Sequence, residues 1–138
     1  MTTLIRPEIS KRNEFWISKH RYYELKHFCL QYPEWKRIIA EYSYLKGRSV
    51  VAKTGKQLEY IDPTLDILEY LEGFQKNIEL VEQSCELSDS VLKPYLIESV
   101  GYGKTFEYLL SVKHMPCSRS TFYRAYRKVF WNLDRLKT

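Results

Sequence analysis

Residues 118–133 read SRSTFYRAYRKVFWNL, and the spacing within them decides the fold class. Phe122, Ala125, Tyr126, Val129, Phe130 and Leu133 fall alternately three residues and one residue apart, the repeat of an amphipathic helix with one continuous apolar stripe. Ser118 suits the N-cap, since its hydroxyl can accept from an otherwise orphaned first-turn amide. Off the stripe stand Arg119, Ser120, Tyr123, Arg124, Arg127 and Lys128, and every charged residue among them is positive. A helix of this width fits the major groove, where arginine grips guanine and hydroxyl side chains bond to bases or phosphates. In such docking the N-terminal residues reach bases and later ones meet the backbone. Arg119, Ser120, Tyr123 and Arg124 are therefore assigned to the groove, Arg127, Lys128 and Lys113 to phosphates, and Ser118 to the DNA-binding start of the helix. Arg119 and Arg124 are five positions apart, so about 140° separates them around the axis. Arg119, Ser120 and Tyr123 then form the main base-reading set.

Upstream, Phe106, Leu109, Leu110 and Val112 give residues 104–112 the inward face of a short helix. Pro116 stops it, because proline lacks an amide proton and disfavours helical geometry at Met115. A short helix, a break and a basic helix make a helix-turn-helix candidate over residues 104–135. Working further back, Ser88 or Ser90 caps a helix over 91–100, with Val91, Leu92, Tyr95, Leu96 and Val100 as buried candidates and Gly101-Tyr102-Gly103 as its close. Asp62-Pro63 starts a helix running to about Leu87. On it Ile67, Leu71, Phe74, Ile78, Val81 and Cys85 alternate in steps of four and three, a spacing that serves a core-facing helix or a homodimer seam. Between Gly47 and Asp62 the pattern fails, which indicates a loop with a short extended piece at Ser49–Ala52. Trp35, Ile38, Ile39, Tyr42 and Leu45 mark a helix from Pro33 to Gly47, and Tyr22, Leu25, Phe28 and Cys29 one over 19–31 behind Ser18. Residues 1–15 read as an arm. The expectation is an all-α protein of about five helices, one domain over 1–138, ending in a helix-turn-helix.

The chain has 138 residues, 44% of them hydrophobic, enough for one core. Its net charge of +5 conceals a strong pattern: +7 over residues 1–56, −8 over 57–100 and +6 over 101–138. Either the acidic middle neutralises the basic ends within the fold, or the ends face a polyanion and the middle a protein; the second is preferred. No apolar run approaches the roughly 18 residues of a membrane span, and the start of the chain has no signal-peptide pattern, so a cytoplasmic protein is expected. Cys29, Cys85 and Cys117, like His20, His27 and His114, lack zinc-ligand spacing, and neither a metal nor a cofactor is expected. Gly103-Lys104-Thr105 imitates the end of a phosphate-binding loop, but Glu98 stands where that motif needs glycine. Asp66, Glu69, Glu72, Glu79, Glu82 and Glu86 recur on one helix face without a histidine partner, which suits a solvated or protein-facing surface and not acid–base catalysis. No enzymatic activity is expected.

The run Ser118-Arg119-Ser120-Thr121-Phe122-Tyr123-Arg124, followed by a basic, aromatic helix, resembles the C-terminal helix-turn-helix of phage late transcriptional regulators of the ArpU and RinA type, itself similar to region four of sigma factors. Residues 17–26 and Tyr32-Pro33-Glu34-Trp35 resemble uncharacterised phage and prophage proteins of Gram-positive bacteria. The turn His114-Met115-Pro116-Cys117 departs from the pattern, having none of the small residues and glycine usual there. The resemblance implies a regulator reading duplex DNA inside a host bacterial cell. Ile67, Leu71, Phe74, Ile78 and Val81 would then serve self-association or contact with RNA polymerase or another host protein. The alternative is a phage-encoded inhibitor of a host nucleic-acid enzyme or defence complex, in the manner of an anti-CRISPR protein.

Overall fold

A computed structural model describes residues 13–51 and 65–138. Among them are six helices: α1 (Lys19–Cys29), α2 (Tyr32–Val51), α3 (Leu65–Ser88), α4 (Lys93–Tyr102), α5 (Phe106–Ser111) and α6 (Arg119–Lys137), and no strand. The all-helical class is thus the one expected. Of the arm expected over residues 1–15, residues 1–12 lie outside the described residues, as does the Asp62-Pro63 start of α3, while Phe15 at its end packs against Trp131. No described helix is long and apolar enough to cross a membrane.

Ser18, in extended backbone, starts α1 as expected, its hydroxyl accepting from the Arg21 amide at 3.4 Å. Tyr22, Leu25 and Cys29 then face inward. A single turn leads into α2, whose first residue Tyr32 is buried with Trp35, and the Phe28 and Trp35 rings meet edge to face at 5.0 Å. The expected stop at Gly47 and the extended piece after it are corrected, because α2 runs through Gly47 to Val51. Glycine inside a helix costs about 1 kcal/mol relative to alanine, which weakens a helix without ending it. Gly73 likewise lies within α3, in open space.

The cap of α4 is also corrected. Neither Ser88 nor Ser90 starts it: the N-cap is Leu92, which makes no side-chain cap bond, the Asp89 carboxylate holds the preceding turn by accepting from the amides of Val91 and Leu92, each at 3.0 Å, and Pro94 sits in the first turn. Ser88 is occupied elsewhere, donating to the Ser84 carbonyl at 2.8 Å and accepting from Asn132 at 3.0 Å. With the start moved to Lys93, Val91 falls outside the helix and is 73% exposed, against the expectation of burial. Asp89→Ala should therefore cost about 1 kcal/mol of stability, because it removes the acceptor that holds the turn before the helix, while Ser90→Ala should leave the urea midpoint unchanged. At its far end, Gly101 lets α4 approach α2, since a Cβ there would lie 3.0 Å from the Tyr32 ring. Gly103, at φ 73°, closes the helix in the left-handed conformation.

α3 and α6 make the most extensive helix pair, and α1, α2 and α4 pack around them. The α6 stripe is buried throughout: Phe122, Ala125, Tyr126, Val129, Phe130 and Leu133. On α3, Ile78, Val81 and Cys85 lie in the same core, so the dimer-seam reading of Ile78 and Val81 gives way to the intramolecular one. Toward the start of α3 the row emerges, with Leu71 and Phe74 half-buried and Ile67 39% exposed. Cys29, Cys85 and Cys117 are free thiols, and burial pushes those of Cys29 and Cys85 well up, Cys85 to about 12, as inert packing residues require.

Candidate nucleic-acid interface

The helix that carries the basic residues is positioned from both ends. Ser118 caps it, accepting from the Thr121 amide at 3.3 Å. Its hydroxyl also lies 3.0 Å from that of Thr121, so Ser118 builds the helix start. Before it, Thr105 caps α5 in the same manner, with Phe106 and Leu109 facing inward. Leu110 and Val112, expected in the core, are exposed, because α5 is a single six-residue helix with one covered face. The connection spans residues 112–118, longer than the roughly 3–4-residue turn of a helix-turn-helix. Within it His114 adopts φ 56°, the position for which the sequence supplies no glycine. Met115 turns under α5, its amide donating to the Leu109 carbonyl at 3.1 Å, and its side chain is buried. The rings of Phe106 and Phe122, 5.6 Å apart, join α5 to α6.

At 100° per residue, Ser120, Arg124, Arg127, Trp131 and Arg135 fall within about 80° of arc, directly opposite the buried stripe. Ser120 and Arg124 are exposed, and Arg127 and Lys128 are half-buried. Phe15 covers the far half of this face, its ring 5.3 Å from that of Trp131 and 5.3 Å from the Lys128 ammonium. Arg135 stacks on Trp131 at 4.6 Å, and Arg21 clamps Asp134 at 2.6 Å. The near half stays open at Ser120 and Arg124, with Arg127 half-buried beside them. Lys113 is exposed in the connection.

Arg119 and Tyr123 stand apart from that set. The Arg119 guanidinium binds Glu107 at 2.8 Å and lies 4.7 Å from the Phe106 ring centre. Donation from Arg119 holds the Glu107 carboxyl below its ordinary value. Tyr123 is half-buried against Phe106, Phe122 and Tyr126. Both side chains thus belong to the α5–α6 junction before they belong to any groove. The Glu107 partner of Arg119 lies twelve residues from it and gave no local signal.

The charges are kept separate across the main helix pair. Glu79 and Glu86 of α3 are exposed, and among the described residues no ion pair joins α3 to α6. What crosses between them is the neutral bond from Asn132 to Ser88. Only the Lys36–Glu82 pair, at 4.0 Å, links a basic end of the described chain to the acidic middle. Among the described residues Arg124 and Arg127 have no carboxylate partner.

Beside the first half of α6 opens a cleft of about 270 Å³ between α1, the end of α4, α5 and α6. Tyr22, Tyr23, Tyr123 and Tyr126 contribute to its walls, with Lys26 and Lys104 among them. Among the described residues no cluster of His, Cys, Asp and Glu able to hold a metal occurs. No protein-family model matches the chain, and neither a curated protein nor a solved structure proved similar to it.

Proposed function

We propose that this chain is a DNA-binding protein that docks the open half of α6 on duplex DNA and regulates transcription in a phage or prophage, within the host bacterial cell. The supporting observation is the segregation of charge: α3 and α6 pack closely, yet the acids of one do not neutralise the cations of the other. Arg124 and Ser120 face bases in this docking, and Arg127, Lys128 and Lys113 face phosphates. Arg119 is a secondary contact, reached by exchange of its exposed bond to Glu107, since exposed ion pairs hold weakly in water. The acidic face of α3 is left for a protein partner such as RNA polymerase. It is a binding role and not a catalytic one.

The test is affinity for a random duplex across salt concentrations, followed by selection from a random-sequence pool. Each phosphate neutralised should lower log affinity by about 0.9 per decade of salt, giving a slope of about −3 for Arg127, Lys128 and Lys113 together. Selection should enrich a motif. A slope near zero would sink the DNA reading and favour an inhibitor that binds a host protein.

A further inference from the structure

The cleft beside α6 has a composition that the packing of the core does not require. Its walls come from four elements that share no local sequence signal: Tyr23 and Lys26 from α1, Ser99 from the end of α4, Lys104 from the α4–α5 link, and Tyr123 from α6. Tyr23 is 40% exposed although its ring is packed only 5.2 Å from that of Tyr22, so one aromatic surface stays accessible. Tyr123 is half-buried on the opposite helix.

Charge selects the class of ligand. Lys26 and Lys104 are half-buried, and among the described residues neither has a carboxylate partner. Lys104 lies 4.7 Å from the centre of the Tyr108 ring, which holds its ammonium without neutralising it. The one carboxylate of the lining, Glu107, is already bound by Arg119 at 2.8 Å. The cleft is therefore cationic as well as aromatic. Its volume of about 270 Å³ is at the lower edge of small-ligand pockets, near 300 Å³. That suits one ring system with a short anionic tail and excludes two stacked bases.

We propose that this cleft binds a single nucleotide, its base against Tyr23 and Tyr123 and its phosphate on Lys26 and Lys104. Aromatic faces accept every base, and ammonium groups recognise phosphate as point charges, so base selectivity is low. The same chemistry is offered by a free nucleoside monophosphate and by an unpaired nucleotide in a strand. Only the second source rests on the DNA-binding reading, because Tyr123 and Glu107 place the cleft alongside the first turns of α6.

Two arms of one experiment distinguish these sources. In the first, calorimetry follows the full chain titrated with the four deoxynucleoside 5′-monophosphates and with the corresponding nucleosides. In the second, affinity is compared for a fully paired duplex and for the same duplex carrying one bulged nucleotide. Saturable one-to-one binding of a monophosphate, or tighter binding of the bulged duplex, is expected. The double variant Lys26→Ala, Lys104→Ala should weaken whichever is bound by about 10- to 100-fold, as loss of hydrogen bonds to a charged group does, and leave nucleoside binding unchanged. Tyr23→Leu should weaken nucleotide and nucleoside alike, by about 5- to 150-fold, through loss of stacking. All these side chains are partly exposed, and thermal melts check that the variants fold. No saturable monophosphate binding together with equal affinity for both duplexes overturns the proposal. So does an equal loss for nucleosides and nucleotides in the lysine variant. Monophosphate binding without any duplex binding would leave the cleft assigned and remove the DNA reading, whereas equal binding of both duplexes without monophosphate binding would remove the cleft and leave the DNA reading.

Discussion

Phe130→Ala should lower the stability of the folded chain by about 3–5 kcal/mol, the range for removing a fully buried phenylalanine. The ring has no exposure, and it meets Tyr22 at 5.1 Å and Tyr126 at 5.0 Å, both edge to face. Truncation therefore loses transfer energy, leaves a void that rigid neighbours cannot fill, and removes two aromatic contacts, one of which, to Tyr22, joins α1 to α6. Since small domains hold only about 5–15 kcal/mol in total, the change removes a large share of the stability. Urea unfolding followed by circular dichroism measures it, with an unchanged slope indicating that stability alone has moved. Tyr70→Ala is the control. That ring is 69% exposed, so the change should stay within about 0.5 kcal/mol. Equal losses at the two sites would contradict the placement of the core.

Replacing Arg124 and Arg127 together by alanine should lower affinity for a random duplex about 8-fold at 0.1 M salt. The phosphate contact of Arg127, contributing about 0.9 to the salt exponent, gives that factor and flattens the slope by about one unit. Stability should hardly change, because both side chains point away from the buried stripe and have no ion pair among the described residues. If Arg124 also grips a base, the loss on the selected motif exceeds that on a scrambled duplex by about 1–3 kcal/mol. Equal slopes for the variant and the wild type would remove this face of α6 from the interface.

The stripe on α6 was legible residue by residue because residues 122–133 repeat one spacing for about three turns, and all six apolar positions chosen by it are buried. Val91, Leu110 and Val112 were misjudged for the complementary reason. Apolar character marks a side chain that gains from burial, but these three lie at or beyond the ends of short helices where nothing packs over them. The start of α4 was blurred by three adjacent polar residues, and only geometry distinguishes the Asp89 carboxylate from the hydroxyls beside it. The heptad on α3 named a face without naming its partner; Ile78 and Val81 found theirs inside the chain. Within the candidate interface, basic charge was visible in the sequence, whereas the hold of Glu107 on Arg119 and the cleft between α1 and α6 were not. Both depend on contacts between residues remote in sequence, to which periodicity is blind.

If the proposed docking holds, the separation of charge between α3 and α6 acts at a distance as well as in contact, as an electric dipole. Far from contact, before any side chain touches a phosphate, the field of a polyanion would exert a torque that turns the cationic helix inward and the acidic one away. Fewer encounters would then be wasted in the wrong orientation, and association would be steered, quickening at low ionic strength where the field reaches several tens of ångströms and slowing as salt shortens that reach to about 10 Å. Arrival would thus respond to salt through the whole charge distribution, while departure would answer mainly to the few residues in contact.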